Sequence, residues 1–238
     1  AQAYRNIRSR HTVDGVVVHG PKMKDSRIAL LHEIGLPFVV HGRASGIAQD
    51  YSWLDVNNKS AFLRSTNFLL DLGHQRIGLI NGLEGMDFAY RRRAGYEEAL
   101  KARGIAPDPS IMRSEEMTEI FGYRSAREML AADEPPTAFL ASSMICALGV
   151  RRAIEERGLR MGRDISVVTH DDALSYLQNG SDVPIFTATR SSVRDAGRRL
   201  AEILIERINN PDGPLIHELL EAELMVGQST GPAPREAQ

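Results

Sequence analysis

The residues of this chain that could do chemistry sit where apolar runs end. His19, His41, Asp171 and Arg190 each close such a run, and ligands of open α/β sheets bind at the carboxyl ends of strands. "HDD" at 170–172 sets two carboxylates after "ISVV". A carboxylate there accepts two sugar hydroxyls, or caps the next helix. "DFAYRRRAGYEEAL" opens a helix with three consecutive arginines, Arg91, Arg92 and Arg93. Successive helical residues are about 100° apart, so at most one or two of the three can face a ligand.

Other chemistries find little support. "LGHQRI" (72–77) runs from a helix through glycine into a strand, the reverse of a phosphate-binding loop. Gly73 reads as a left-handed helix cap, with His74 and Arg76 placed to bond the last helical carbonyls. "HGPKMKDS" and "NGLEGMDF" follow strands but lack the dinucleotide spacing G-x-G-x-x-G. A nucleophile elbow G-x-S-x-G is missing too. The histidines are scattered, and no second His or carboxylate lies near His74 at metal-ligand spacing. Only Asp171 and Asp172 could form an acid–base pair, so the sequence predicts no cofactor, no metal and no enzyme.

The elements that must position these residues follow from periodicity. Runs at 13–20, 36–42, 76–82, 137–142, 165–171 and 185–190 are continuously apolar, as in parallel strands buried on both faces. Amphipathic segments at 58–72, 89–103, 143–157 and 192–209 lie between them, and two of these end at Gly104 and Gly158. Residues 62, 65, 68, 69 and 72 share one face of the first. Strand–helix alternation predicts an α/β fold of doubly wound, mostly parallel sheets with helices on both faces. The chain has 238 residues, is 42% hydrophobic and carries a formal net charge of −2. That is ordinary for a soluble protein and makes no bulk electrostatic case for nucleic acid or membrane. No run reaches the ~20 apolar residues of a membrane-spanning helix. Cys146 is the single cysteine, which excludes an internal disulfide and fits a reducing compartment. The polar start "AQAYRNIRSRHTVDG" lacks the apolar core of a secretory signal.

Taken in order, "VDGVVV", "GLPFVVHGR", "FLLDLGHQRIGLING", "RRRAGYEEAL", "ALGVRRAIEERGLRMGRDISVVTHDD" and "STGPA" resemble the LacI/GalR family of bacterial transcription regulators over nearly the whole chain. The resemblance implies a two-lobed fold like that of periplasmic binding proteins, with a small effector in the cleft. It places 1–72 and 191–214 in an N-terminal lobe and 73–190 and 215–238 in a C-terminal one. It also implies that the helix-turn-helix and the first strand–helix–strand of the N-terminal lobe are not in this chain. Operator DNA would be bound through that other domain, by a cytoplasmic homodimer that represses transcription until a sugar intervenes. A periplasmic sugar-binding protein of a transporter shares the fold and is the alternative.

Site residues carry over from the resemblance one at a time. Arg92, three before the glycine of "RRRAGY", matches the effector-anchoring arginine. Asp171 matches the hydroxyl-accepting carboxylate. Asp87 and Phe88 fall in the loop where selectivity contacts occur, and Ser191 stands at a crossover position often held by Gln. His19 closes the first apolar run on the same edge. Several positions depart from the family's pattern: Ser143-Met144 for Asn-Asp, Met117 for an aromatic, Gly42 before Arg43 for an Asp, and "VNN" for Val-Asp-Asn. Arginine, aspartate and apolar platforms together suit a mono- or disaccharide, an α-glucoside among the candidates, with a purine the lesser alternative inside the family.

Overall fold

The computed structural model describes residues 2–10, 12–170, 173–174 and 177–234. In chain order the elements are α1 (Gln2–Arg10), β1 (Val16–His19), α2 (Ser26–Glu33), β2 (Phe38–His41), β3 (Trp53–Val56), α3 (Asn58–Asp71) and β4 (Ile77–Asn81). Next come α4 (Asp87–Ala102), β5 (Met112–Ser114), α5 (Glu119–Leu130), β6 (Ala138–Ala141), α6 (Met144–Glu156) and β7 (Ser166–His170). A hairpin of β8 (Ala173–Leu174) and β9 (Leu177–Gln178) precedes β10 (Thr187–Arg190), α7 (Val193–Asn209), β11 (His217–Leu220) and β12 (Glu223–Met225). Among these helices none is long and apolar enough to cross a membrane.

The chain divides into two compact units. The first holds residues 1–56, 85–88 and 192–220, around a parallel sheet of order β1-β2-β3-β11. Alternation along β2 builds its two cores. Phe38 and Val40 join Ile28 and Leu31 of α2 on one face, while Val39 joins Leu200 and Ile203 of α7 on the other. β1 departs from the expected double burial. It is the edge strand of this sheet among the described residues, and Val17 is 44% exposed.

The second unit holds 57–84, 89–191 and 221–238. Its sheet has the order β12-β10-β7-β6-β4-β5, parallel except for β12. β4, β6 and β7 are buried along their whole length, as continuous apolar runs require. Residues 57–72 go with the second unit because α3 packs on β6, β7, β10 and β12. Residues 215–220 go with the first because β11 pairs with β3. Residues 85–88 also join the first, through Met23 N–H to the Gly85 carbonyl and Asp87 N–H to the Pro21 carbonyl, both at 3.1 Å.

"LGHQRI" is structural, with different partners from those expected. Gly73 ends α3 at φ +91°, a left-handed cap that glycine takes without strain. The His74 ring does not turn back onto α3. It is buried, with Nδ1 2.9 Å from Thr137 Oγ1 and Nε2 3.1 Å from the Gly231 carbonyl and 3.0 Å from Ser166 Oγ. A carbonyl only accepts, so Nε2 carries the proton and Nδ1 accepts from Thr137. His74 therefore ties the amino ends of β4, β6 and β7 to the segment after β12. Arg76 donates to the Glu134 carbonyl at 2.9 Å and to Asp108 at 3.0 Å.

Close helix packing in this unit depends on glycines. A methyl at Gly122 of α5 would strike the Cys146 carbonyl, and one at Gly149 of α6 would strike the Glu119 carbonyl and the Tyr123 amide. These obstacles are backbone, which cannot rotate away. We expect Gly122→Ala to cost about 1–3 kcal/mol by overpacking. Ser65→Ala makes the contrast: among the described residues Ser65 Oγ is buried with no hydrogen-bond partner, so removing it should leave stability level or raised. Urea unfolding of both variants against the parent checks the pair, and equal midpoints for Gly122→Ala and the parent would contradict the packing account.

Candidate functional site

The polar groups gather at the carboxyl ends of the parallel strands, separately in each unit. In the second unit the centre is Arg92, in the second turn of α4 and only 6% exposed. Its Nε donates to Asn58 Oδ1 and its Nη1 to the Ser142 carbonyl, both at 2.8 Å. The guanidinium lies over the Phe62 ring, 5.3 Å from its centroid, an arrangement that favours a desolvated cation. Of the three arginines, it alone is buried. Arg93 faces Glu97 at 2.8 Å and Glu84 on the outer side of α4, and Arg91 is half-buried.

Local sequence explains the placement. Asn57 caps α3 by accepting from the Ser60 amide at 3.2 Å, which puts Asn58 and Phe62 one turn apart on the same helix face. Asn81, the last residue of β4, donates from Nδ2 to the Ala89 carbonyl at 2.8 Å and accepts from Ser142 Oγ at 2.7 Å. One buried amide thus joins the ends of β4 and β6 to the start of α4. His170, closing β7, is buried with Nδ1 2.7 Å from Thr189 Oγ1 of β10, and its ring lies 6.0 Å from that of Phe62. Burial, with the Arg92 charge adding to it, holds the His170 imidazole well below its ordinary pKa. The ring is therefore neutral beside a permanent cation.

In the first unit, His19 and His41 close adjacent strands in register, with their Nδ1 atoms 2.9 Å apart. Asp87 is buried there and accepts from the Ser45 amide at 2.6 Å. Phe88 follows it, half-buried. Arg43, at a departure from the family's pattern, is structural. It donates to the buried Asp55 at 2.8 Å and lies over Trp53.

The residues singled out in the sequence thus fall into separate groups. Arg92 and Ser191 belong to the second unit and His19, Asp87 and Phe88 to the first. Ser191 is buried just past β10. Ser143 directly follows the carbonyl that Arg92 binds, but its hydroxyl caps α6 by accepting from the Cys146 amide at 3.2 Å. Met117 packs against the apolar core around α5 and α6. Asp171 and Asp172 lie outside the described residues. Sequence reasoning missed Asn58, Phe62, Asn81 and His170. Phe62 carried only a core signal, while Asn58 stood in "VNN" and His170 in "HDD" with no hint of their partner. Among the described residues there is no cluster of three or more His, Cys, Asp or Glu that could hold a metal ion.

Comparison with known proteins places this geometry. The profile of the family described as periplasmic binding protein-like domain matches residues 66–230. The chain is 44% identical over 232 residues to the HTH-type transcriptional regulator AglR of Rhizobium meliloti, covering 97% of this chain and 65% of that protein. It therefore spans just under two thirds of that relative. Among solved structures, a regulatory protein of the LacI family from Chloroflexus aggregans superposes with a TM-score of 0.83 at 27% identity, covering 97% of this chain and 81% of that one. The complex of the transcriptional regulator CelR with cellobiose gives a TM-score of 0.84 at 28% identity, covering 96% and 70%.

The buried imidazoles make stability pH-dependent with a definite sign. His41 is lowered from 6.5 to about 4 by burial and then by His19. His170 and His74 are also lowered, both first by burial. Each ring binds its proton more weakly folded than unfolded. The unfolded chain therefore takes up the excess protons once pH falls below 6.5. Stability from these groups is complete above that value and is lost as pH falls towards about 4 for His41. We expect Tm to drop between pH 7 and pH 5, and His170→Asn to lower Tm at pH 7 while flattening that drop. Thermal melts across the range check this, and a parallel pH profile in the variant would contradict it.

Proposed function

We propose that this chain, which belongs to the LacI/GalR family of transcriptional regulators and carries its periplasmic binding protein-like domain, is the effector-binding part of a sugar-responsive repressor. The observation that carries the reading is the buried Arg92. A guanidinium fixed by Asn58 and the Ser142 carbonyl, laid on Phe62 beside a neutral imidazole, is a preorganised donor for neutral hydroxyls. The buried Phe62 ring beneath it holds the guanidinium in place. Asp171 is proposed as the accepting carboxylate, and Ser191 as a further contact from the end of β10. The effector is a mono- or disaccharide, with α-glucosides first in line. The intact protein binds operator DNA as a cytoplasmic homodimer through its DNA-binding domain, and the sugar changes operator affinity by favouring one of two conformations. Such couplings are typically ~1–3 kcal/mol.

The test is a thermal-shift screen of the intact protein against maltose, trehalose, sucrose and cellobiose, with purines as controls. One sugar should raise Tm with concentration as mass action requires. Arg92→Ala should weaken that sugar roughly tenfold or more, and Arg92→Lys, which keeps the charge but loses the fork, should fall between. A purine that stabilises in place of every sugar would redirect the assignment. Unchanged sugar affinity in both variants would sink it.

A further inference from the structure

The first unit carries a cavity at the sheet edge opposite to the one that His19 and His41 close. It is open, holds about 180 Å³, and lies among the amino ends of β2 and β3, the end of α2 and the loop after α7. Local sequence makes the hollow. Gly35 follows α2 at φ +60°, a left-handed turn that glycine takes without strain. Leu36 and Phe38 then give the cavity a buried apolar lining, and Leu215 adds a more exposed one. Arg207, in the last turn of α7, shapes the loop that carries Leu215. It donates to the carbonyls of Gly213 at 2.7 Å, of Pro214 at 3.3 Å and of Pro211.

The polar side chains on this cavity have donors to spare. A guanidinium has five N–H groups. Three are used by those carbonyls, and one on Nε and one on Nη2 have no acceptor among the described residues. Arg207 also has no carboxylate partner among them. Ser52 is 1% exposed, and its Oγ accepts from the Ile216 amide at 3.1 Å. Its own proton has no acceptor among the described residues. His32 meets the Phe38 ring edge to face at 5.1 Å, and its ring nitrogens have no hydrogen-bond partner among them either.

A ligand that suits this lining must bring acceptors, a negative charge and an apolar body. A carboxylate only accepts, and its charge complements Arg207. An ammonium only donates, and a sugar would leave hydroxyls unmet against Leu36 and Phe38. No acidic side chain lines the cavity. The last carbonyls of α2, at Leu30, Leu31 and His32, already accept from the Ile34, Leu36 and Gly35 amides, so they do not face a bound anion bare. A cavity of roughly 150 Å³ takes one benzene ring, which sets the body at a single ring or a short branched chain.

We infer that this cavity of the first unit binds a small apolar carboxylate, its head taken by Arg207, His32 and Ser52 and its body by Leu36, Phe38 and Leu215. The site is independent of the sugar-binding reading, whose anchor belongs to the second unit. The test uses the intact protein at pH 7. Benzoate and 3-methylbutanoate are the probes, with benzamide and benzylamine as neutral and cationic controls of similar size. In proton–nitrogen NMR titrations, one of the two carboxylates should saturate with a Kd below roughly 1 mM. It should move the Gly35, Leu36 and Ser52 amide signals and the His32 imidazole. Both controls should bind roughly tenfold more weakly or worse, and Arg207→Gln should weaken the carboxylate roughly fivefold or more. Benzamide or benzylamine binding as tightly as benzoate would overturn the carboxylate assignment. Unaltered signals at these residues with both carboxylates in excess would overturn the site itself, a readout that needs no variant to fold.

Discussion

A buried guanidinium is expensive to place, and the second unit is organised around meeting that cost. Taking an ion out of water is tolerable only when its donors are bonded and its charge finds a polarizable neighbour. For Arg92 those partners come from far apart in the chain: the Asn58 side chain at the start of α3, the Ser142 carbonyl at the end of β6, and the Phe62 ring. Each partner is itself fixed. Asn57 caps the helix that carries Asn58, and Asn81 ties Ser142 to α4. The cation cannot move without unseating α3, α4 and two strand ends, which is what a binding site needs from its anchor. His170 adds a selective element, because a neutral imidazole beside a permanent cation neither repels it nor neutralises it.

The helices that frame this site are held close enough to do so by residues with no side chain. Gly95 lies three positions after Arg92 in "RRRAGY", and a methyl there would run into the Lys59 carbonyl and the Leu63 amide of α3. The spacing that makes the sequence resemble its family thus has a physical content. The arginine reaches inward only because the glycine lets its helix settle against α3, where Asn58 and Phe62 wait. Gly122 and Gly149 do the same for α5 and α6, whose cap at Ser143 follows the carbonyl that Arg92 binds.

Much of this was legible in the sequence, and the remainder was hidden for definite reasons. Fully buried strands announced themselves as apolar runs, so β4, β6, β7 and β10 were found to within a residue or two. β3, β5, β11 and β12 were not seen as strands. They are short or half-exposed, and β11 is defined by pairing with β3 across more than 150 residues of chain. The same nonlocal pairing puts residues 217–220 in the first unit. Arg92 could be chosen among three arginines only through the resemblance, since helical geometry says that one faces inward but not which. Asn58 and His170 were invisible as partners because hydrogen bonding between distant side chains leaves no periodic trace. His74 shows the converse. Its cap glycine was plain, yet its ring bonds lie at Thr137, Ser166 and Gly231 rather than on the helix it follows.

The central claim is that a neutral, hydroxylated effector docks on the Arg92 cluster at the carboxyl edge of the second unit's sheet. Hydrogen–deuterium exchange of the intact protein, with and without saturating sugar, tests it most directly. The account predicts slowed exchange around the start of α3, the segment 89–93, the joint at 142–143 and the end of β10, with the amino ends of β4, β6 and β7 around His74 unchanged. Protection confined to those amino ends, with the Arg92 segments exchanging as before, would contradict it.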